Sequence, residues 1–343
     1  MLNNLRFFII FLSITTHLSA TADKEALWRN YKESFIQKDG RVIDYKNSDI
    51  THTEGIGYTL YFAQYFNDKK TFSLIYTWYK NNIKKNSAHL PGWKWGKSTD
   101  GEWKMLDMNS ASDANLWIAY ALFLMDKKEE NDSYKKEAYT LLENIKKYQI
   151  KNIASQTYLL PAENGFINKD ILVLNPSYML FEIFQNIQYF DKDALWKKLI
   201  KSSCYLLKKA RFSKLALNPD WIQINLKKNS FALDKKKTLF SYDAIRIPLN
   251  IMRSSLSKTQ KRELLEPYIN YVSMMKEFSL GSVDLDLGKI SLYDLSYGHL
   301  AIYSKIAKEY NLGLKNLDTE LTQRMKKEHE NYYAYSLYLF TVI

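Results

Sequence analysis

Two short segments each place one carboxylate just ahead of an apolar stretch. Glu54 lies in the segment THTEGIGY (51–58), and Asp243 lies in the segment YDAIRIP (242–248). Two carboxylates held apart across a cleft can hydrolyse a glycosidic bond, because one protonates the leaving oxygen while the other activates water. An inverting pair needs its carboxyl groups roughly 6.5–9.5 Å apart to admit that water. The two segments therefore predict catalytic carboxylates, provided that the fold brings them to one cleft.

Two further polar segments have the same relation to apolar stretches. Asp113 lies in NSASDANL (109–116), and Tyr178 closes NPSY (175–178). Taken singly, Asp113 and Ser177 are most simply helix N-caps, since short polar side chains satisfy free backbone N–H groups. All four segments together, each at the start of an apolar helix, indicate a shared site.

The rest of the chain alternates two kinds of helical segment. Six are amphipathic and rich in charge: 24–37, 70–85, 132–147, 193–211, 257–276 and 315–328. Six are apolar almost all round: 55–66, 111–125, 176–187, 242–252, 292–303 and 331–343. A helix without a polar face must be covered on every side. The alternation predicts an all-α fold, an (α/α)6 barrel with an inner ring of six helices sheathed by an outer ring of six.

The connections from outer to inner helices are long and show weak strand signals. We expect structureless loops over 38–54, 86–110, 148–175, 212–241 and 277–291. Long loops in compact domains are usually functional. All five lie at the end of the barrel where the inner helices begin, so the cleft is expected there.

Aromatic residues in two of these loops suit a sugar site. Trp93, Trp95 and Trp103 lie in one loop and Trp221 lies in another. A flat aromatic face packs against the apolar face of a pyranose, and an indole is costly to expose without a partner. We therefore predict that these four tryptophans bind substrate.

Three more residues are predicted to line the site. Tyr178 belongs to the third polar segment. Tyr242 either orients Asp243 and its water or packs in the interior, and the sequence leaves both open. Arg246 follows Asp243 by one helical turn and is expected to pair with it or with another carboxylate of the cleft.

In combination and order, these segments resemble the motifs of glycoside hydrolase family 8, and in particular the bacterial endoglucanases that accompany cellulose synthesis. The resemblance runs from about Trp28 to the C-terminus and includes DGRV (39–42). It implies that Glu54 is the general acid, that Asp243 is the general base, and that Asp113 binds and distorts the sugar at the scissile bond.

Four positions depart from the family pattern. Thr53 replaces a serine, Ile56 a glutamine, Asn115 a second aspartate and Leu249 a tryptophan. None removes a proposed catalytic carboxylate, but Ile56 and Asn115 put the finer substrate contacts in doubt.

The expected function is that of a secreted endo-β-1,4-glucanase that inverts anomeric configuration. A hydrolase of the same fold acting on xylan, mixed-linkage glucan or chitosan remains an alternative. So does a catalytically idle glycan-binding protein, although it would not need all three carboxylates. A basic scaffold for an anionic partner would leave the order of the motifs unexplained.

The first 22 residues have the layout of a secretory signal peptide. Arg6 is their only charged side chain, residues 7–16 are apolar and Ala20-Thr21-Ala22 offers a cleavage site. The apolar run is short for a membrane span, and no other segment could cross a bilayer. We expect a single domain over 23–343, secreted or periplasmic, without stable membrane insertion.

Composition adds expectations about partners. The formal net charge is +12, or +11 without the leader, but the basic residues are scattered pairs typical of a solvated surface. The run 235–237 (KKK) could meet an anionic ligand or serve solubility. Cys204 alone forms no disulfide, and no metal, cofactor or nucleic-acid motif is present. The predicted partner is a β-1,4-glucan, with an exopolysaccharide export machinery left open.

Overall fold

In the part of the chain that the structure describes, twelve α-helices alternate between two rings, as the sequence predicts. The computed structural model describes residues 24–276, 281–291, 296–314 and 317–343. The outer helices are α1 (24–35), α3 (Lys69–Asn82), α5 (Asp132–Asn144), α7 (Leu195–Lys209), α9 (Lys258–Ser273) and α11 (Leu317–Lys327). The inner helices are α2 (Thr53–Tyr65), α4 (Ser112–Glu129), α6 (Phe181–Ile187), α8 (Arg246–Arg253), α10 (Tyr297–Glu309) and α12 (Tyr332–Val342).

Some expectations fall outside the described residues. These are the proposed leader Met1–Ala22, part of the predicted loop 277–291, and the first residues of the helices predicted over 292–303 and 315–328. Within the described residues, no helix is long and apolar enough to cross a membrane.

The inner helices contact one another around a ring. The amide of Asn186 on α6 donates to the hydroxyl of Tyr120 on α4 at 3.0 Å. Arg253 at the end of α8 reaches Glu182 of α6 at 2.7 Å and the carbonyl of Phe340 on α12 at 3.0 Å. The ring of Phe340 lies 4.7 Å from that of Phe62 on α2, and the ring of Tyr58 on α2 lies 5.6 Å from that of Trp117 on α4, which closes a circuit of contacts through five inner helices. The uninterrupted apolar surface of these helices is thereby covered, as their sequence demands.

Each outer helix covers a seam beside its inner partner with one apolar face. Phe123 on α4 meets Tyr139 on α5 at a ring separation of 4.9 Å, and Phe184 on α6 stacks on Trp196 of α7 at 6.4 Å. Tyr31 of α1 is fully buried and hydrogen-bonds Thr59 of α2 at 3.0 Å. The amphipathic pattern of the outer helices therefore reflects cover on one side and water on the other.

The expectation of structureless loops is wrong, because the outer-to-inner connections carry all the strands of the described structure. The strands form four small antiparallel sheets. They are β1 (Thr51–His52), β2 (Gly92–Lys97) and β3 (Trp103–Ser110); β4 (Ile150–Ile153) and β5 (Gln156–Leu159); β6 (Ile167–Asn168), β7 (Ile171–Leu174), β8 (Ile222–Asn225) and β9 (Ser230–Leu233); and β10 (Leu239–Phe240), β11 (Val283–Asp284) and β12 (Lys289–Ile290). Several strands pair with another connection, a long-range feature that local sequence does not signal.

Two inner helices begin later than predicted. The segment 176–178 forms a 3₁₀ turn, and α6 starts only at Phe181. Likewise Asp243 lies in a turn ahead of α8, which starts at Arg246. The partly buried carboxylate of Asp220 accepts the backbone N–H groups of Ser241 and Ala244 at 2.9 and 2.7 Å, which holds this turn.

Glycine permits the closest approach between inner helices. A Cβ at Gly57 of α2 would lie 2.7 Å from the Cβ of Trp117 and 3.1 Å from the carbonyl oxygen of Ala114, both on α4. A Cβ at Gly298 of α10 would lie 2.8 Å from the Cα of Ala334 on α12. Any larger residue would push the paired helices apart.

Gly57→Ala is therefore expected to destabilise the protein. Overpacking between two rigid helices costs about 1–3 kcal/mol, which outweighs a helix-propensity gain of about 1 kcal/mol. We expect a net loss of up to about 2 kcal/mol in the free energy of unfolding, measured by urea denaturation. Thr77→Ala on the exposed face of α3 is the control and should stay within about 0.5 kcal/mol of wild type. Unchanged stability of Gly57→Ala would show that α2 and α4 can separate at no cost.

Candidate active site

Glu54 is held in the first turn of α2 by its own helix. The N-cap is His52, whose Nδ1 accepts the backbone N–H of Gly55 at 3.0 Å. One turn on, the hydroxyl of Tyr58 donates to Oε1 of Glu54 at 2.5 Å. Burial raises the pKa of Tyr58 well above its ordinary value, so this phenol stays neutral and remains a donor.

Asp113 lies at the start of α4 and is buried, with 3% of its surface exposed. Its Oδ1 accepts the backbone N–H of Ala114 at 2.8 Å. Burial, and next the charge of Glu54, raise the pKa of Asp113 to about 7 against the opposing effect of Arg246. This carboxyl is therefore poised to take up a proton near neutral pH.

Asp243 is fixed by donors from two directions. Its Oδ1 accepts from Nη2 of Arg246 at 2.7 Å, and its Oδ2 accepts from the indole N–H of Trp221 at 3.1 Å. About a third of its side chain, 34%, remains exposed. The carboxylate is thus oriented by protein groups and open to water.

A single guanidinium joins all three carboxylates. Arg246 is buried, with Nη1 against Oε1 of Glu54 and 3.4 Å from Oδ2 of Asp113, while Nη2 contacts Asp243. Nη2 also donates to the hydroxyl of Ser177 at 2.9 Å. The sequence predicted pairing with Asp243 or with another carboxylate, and Arg246 does both. The side chains that chemistry would require are therefore gathered at one point.

These residues line an open cavity of about 540 Å³ at the end of the barrel where the inner helices begin. Of the aromatic residues predicted from the sequence, Trp93, Trp221, Tyr178 and Tyr242 line it. Tyr242 is 53% exposed, which favours a role at the cavity over packing in the interior.

Trp95 and Trp103 lie outside this cavity. Trp95 is 9% exposed and packs edge-on against Trp78, while Trp103 stacks on Trp95 at 5.1 Å. The guanidinium of Arg41 lies 4.4 Å from the centroid of Trp103. The register of β2 against β3 shifts on both sides of Lys94, and such a bulge turns side chains that would otherwise share a face. Local sequence does not reveal this irregularity.

The cavity includes residues that sequence reasoning missed: Asp44, Asp107, Phe166 and Tyr333. The hydroxyl of Tyr333 donates to the carbonyl of Tyr242 at 2.5 Å, and its ring centroid lies 6.0 Å from the guanidinium carbon of Arg246. Tyr333 opens an apolar helix full of tyrosines, so no local signal distinguishes it from its neighbours.

The departures Ile56 and Asn115 turn away from the cavity. Ile56 is fully buried in the core, and the amide of Asn115 donates to the buried side chain of Gln149 at 3.2 Å. Neither residue lines the cavity. Their substitution leaves the lining of the site unchanged.

The cavity is strongly acidic in an otherwise basic protein. Among its described lining residues are five carboxylates, Asp44, Glu54, Asp107, Asp113 and Asp243, with Arg246 as the one guanidinium. Within the ranges that the structure covers, no group of three or more histidine, cysteine, aspartate or glutamate side chains is arranged to hold a metal ion.

Carboxylates held at an open cleft are what glycoside hydrolysis requires, and the open end of this double ring gathers three of them around Arg246. Residues 3–343 match the family described as "Glycosyl hydrolases family 8". The chain therefore belongs to glycosyl hydrolases family 8.

Named relatives agree with this assignment. The chain is 33% identical over 256 residues to an "Endoglucanase" of Salmonella typhi, a match that covers 73% of this chain and 68% of that protein. It is 32% identical over 228 residues to an "Endoglucanase" of Xanthomonas axonopodis pv. citri, covering 65% of this chain but only 58% of that one. The solved structure of an "endo-1,4-D-glucanase from Vibrio fischeri ES114" superposes with a TM-score of 0.81 at 28% identity, over 92% of this chain and 93% of that one.

The raised pKa of Asp113 predicts a pH dependence of stability. Between its ordinary value of 3.8 and about 7, the folded state keeps a proton that the unfolded state releases. The free energy of unfolding must therefore fall as pH rises through this interval. The Asp113→Asn variant has no carboxyl at this position to bind the proton. Its melting temperature should therefore fall less than that of wild type between about pH 4 and pH 7.

Thermal denaturation at a series of pH values checks this. Burial, followed by the charge of Asp243, also raises the pKa of Asp220, to about 6, so part of the slope should persist in the variant. The exposed Asp107 is the matched control, and Asp107→Asn should keep the wild-type slope. If the melting temperatures of Asp113→Asn and wild type depend identically on pH, the raised pKa of Asp113 is contradicted.

Proposed function

We propose that this glycoside hydrolase is an endo-acting β-1,4-glucanase that inverts anomeric configuration. The observation that carries the proposal is the joining of Glu54, Asp113 and Asp243 by Arg246 at an open, aromatic-lined cavity. The printed names of the relatives, endoglucanases, support the substrate class.

Glu54 is the proposed general acid. Its contacts with Tyr58 and Arg246 both use Oε1, so Oε2 is the oxygen that would carry the proton to the leaving group. A general acid has to reach the leaving oxygen, and the Glu54 side chain is 21% exposed and lines the cavity. Asp113 lies beside it, since both contact Nη1 of Arg246.

Asp243 is the proposed general base. Asp243 receives one hydrogen bond on each oxygen and lines the cavity. Each oxygen retains a second lone pair that can accept a proton from water. Its exposure to the cavity lets that water approach the sugar from the side opposite Glu54, as inversion requires.

Asp113 is the proposed sugar-binding residue at the scissile bond. It lies deeper than the other two carboxylates, at the start of α4. A buried carboxyl that hydrogen-bonds a sugar hydroxyl can favour a distorted ring, because the contact strengthens as the ring approaches the transition state. Trp93 and Tyr242 offer flanking aromatic surface for neighbouring sugar units.

A cationic substrate is the second candidate. The five carboxylates of the cavity would attract a polymer that carries ammonium groups, such as chitosan. The basic surface outside the cavity would repel the same polymer.

Release of reducing ends from carboxymethyl cellulose, xylan, mixed-linkage glucan and chitosan, measured side by side, tests the proposed substrate. We expect the fastest release from the β-1,4-glucan, with a rapid fall in viscosity that marks internal cleavage. A preference for chitosan would favour the second candidate. Binding of oligosaccharides without cleavage of any polymer would leave a glycan-binding protein.

Catalytic substitutions test the assigned roles. Glu54→Gln and Asp243→Asn should each reduce kcat by at least about a thousandfold while oligosaccharide binding persists, because each removes a proton-transfer group. Asp113→Asn should weaken both binding and turnover. Glu263→Gln, which alters an exposed carboxylate paired with Lys208 on α7, is the control and should keep full activity.

The same preparation tests stereochemistry. Proton NMR of the first product from a β-glucan should show the α-anomer, because water attacks the face opposite the leaving group. Initial release of the β-anomer, or full activity of Asp243→Asn, would contradict the assignment of Asp243 as base.

We further propose export of the protein and a link to the production or breakdown of cellulose or another exopolysaccharide. The leader-like layout of the first 22 residues motivates export, leaving one hydrolase domain over 23–343. Mass spectrometry of the protein exported by its native host should show a new N-terminus near Asp23. Retention in the cytoplasm with Met1 intact would count against export.

A further inference from the structure

Asp220 and Trp221 are adjacent in the connection between α7 and α8, and both contact the turn that carries Asp243. We propose that this pair is a positioning element for the catalytic base, in which Asp220 holds the backbone of the turn and Trp221 holds the carboxylate. The inference rests on the proposed role of Asp243. It gives Trp221 a function other than the stacking on sugar that its sequence context predicts.

Asp220 fixes the turn by accepting three hydrogen bonds. Its Oδ1 accepts the backbone N–H groups of Ser241 and Ala244, and its Oδ2 accepts the hydroxyl of Ser241 at 2.5 Å. The two backbone donors lie on either side of Asp243 in the chain. The backbone N–H of Asp220 in turn donates to the carbonyl of Leu239 at 2.7 Å. The turn therefore cannot shift without breaking its contacts to the partly buried carboxyl of Asp220.

Trp221 fixes the side chain within that turn. Its indole N–H donates to Oδ2 of Asp243, while the guanidinium of Arg246 donates to Oδ1. The two donors come from different segments, one from the α7–α8 connection and one from α8. Rotation of the carboxylate would break at least one of these bonds, so its plane is set before substrate binds.

The indole itself is held by two neighbours. The ring of Phe166 is nearly parallel to it, at a centroid separation of 5.8 Å and an angle of 13°. The ammonium of Lys237 lies 4.2 Å from the centroid of Trp221. These contacts set the direction of the N–H and occupy ring surface that a sugar would need. The last lysine of the run 235–237 thus contacts a residue that lines the cavity.

Trp93 provides the comparison within the same cavity. Its indole N–H also donates to a carboxylate, Oδ2 of Asp107 at 2.8 Å. Asp107 has no contact with the guanidinium of Arg246 among the interactions of the described residues. Both tryptophans donate to a carboxylate. Of the two, only Trp221 donates to one of the three carboxylates that Arg246 contacts.

Trp221→Phe separates positioning from stacking, because the phenyl ring keeps an aromatic face but has no N–H. We expect kcat on the preferred β-1,4-glucan to fall about tenfold or more, which is the rate factor that corresponds to the loss of one hydrogen bond to a charged group. KM should stay within about twofold of wild type. The acidic limb of the pH profile of kcat/KM should move to higher pH, since one donor to the ionised carboxylate is lost.

Trp93→Phe is the matched control. The smaller ring and the lost bond to Asp107 weaken a proposed sugar contact but do not touch Asp243, so KM should change more than kcat and the acidic limb should stay in place. If Trp221→Phe instead raises KM and keeps both kcat and the limb, Trp221 is a sugar contact and the proposal is wrong.

Asp220 is tested by rescue. Asp220→Ala should lower kcat by about tenfold or more and shift the limb in the same direction, because the turn loses three acceptor contacts. Asp220→Asn keeps an oxygen for the backbone N–H groups and should recover most of kcat. Equal activity of Asp220→Ala and wild type would remove Asp220 from the proposal.

A measurement without substrate separates this inference from the proposed function. Labelling the tryptophan side chains with ¹⁵N gives eight indole N–H signals, and the signal lost in Trp221→Phe identifies Trp221. That signal should shift in Asp243→Asn, whereas the signal of Trp196, which donates to Asp191 at 2.9 Å, should not. An unmoved Trp221 signal would overturn the inference even in an active enzyme. If the signal shifts but the protein cleaves no glycan, the hydrogen bond between Trp221 and Asp243 is supported. Only the proposed function is then contradicted.

Discussion

The constraint on which the site depends is the burial of one guanidinium among three carboxylates. Arg246 is 5% exposed and reaches Glu54, Asp113 and Asp243 at once. A buried charge is costly unless it is paired and hydrogen-bonded, and carboxylates that share one cavity repel one another when ionised unless a cation lies between them. The arginine and the carboxylates therefore need each other, and α2, α4 and α8 must meet at one end of the barrel for either to be buried.

The opposite end of α8 carries a second arginine that serves a different purpose. Arg253 bonds Glu182 on α6, Tyr61 on α2 and the carbonyl of Phe340 on α12. These contacts tie three inner helices to the C-terminal residue of α8, while Arg246 ties three carboxylates to its first residue. A helix of eight residues is thus anchored at both ends, which limits how far Arg246 can move.

The small sheets give the rim the rigidity that loops would lack. β1 ends at His52, the N-cap of the helix that carries Glu54, and pairs with the strand that carries Trp93 and Trp95. Trp221 stands immediately before β8, and β10 ends three residues before Asp243. Strand pairing across separate connections therefore fixes the distances between side chains that are far apart in the sequence, and a preorganised site needs fixed distances.

The sequence by itself determined that helices of two kinds alternate and that Glu54, Asp113 and Asp243 lie at the starts of apolar segments. Helical periodicity and short motifs are local properties, so both can be read from the chain alone. Only the tertiary structure decided the partners: the bridging by Arg246, the approach of Tyr333, the bulge at Lys94 that separates Trp93 from Trp95, and the attachment of Trp221 to Asp243. Each of these depends on the packing of segments distant in the chain. Such packing is set by the shape and charge of the neighbours that a side chain meets, which its own local sequence does not contain.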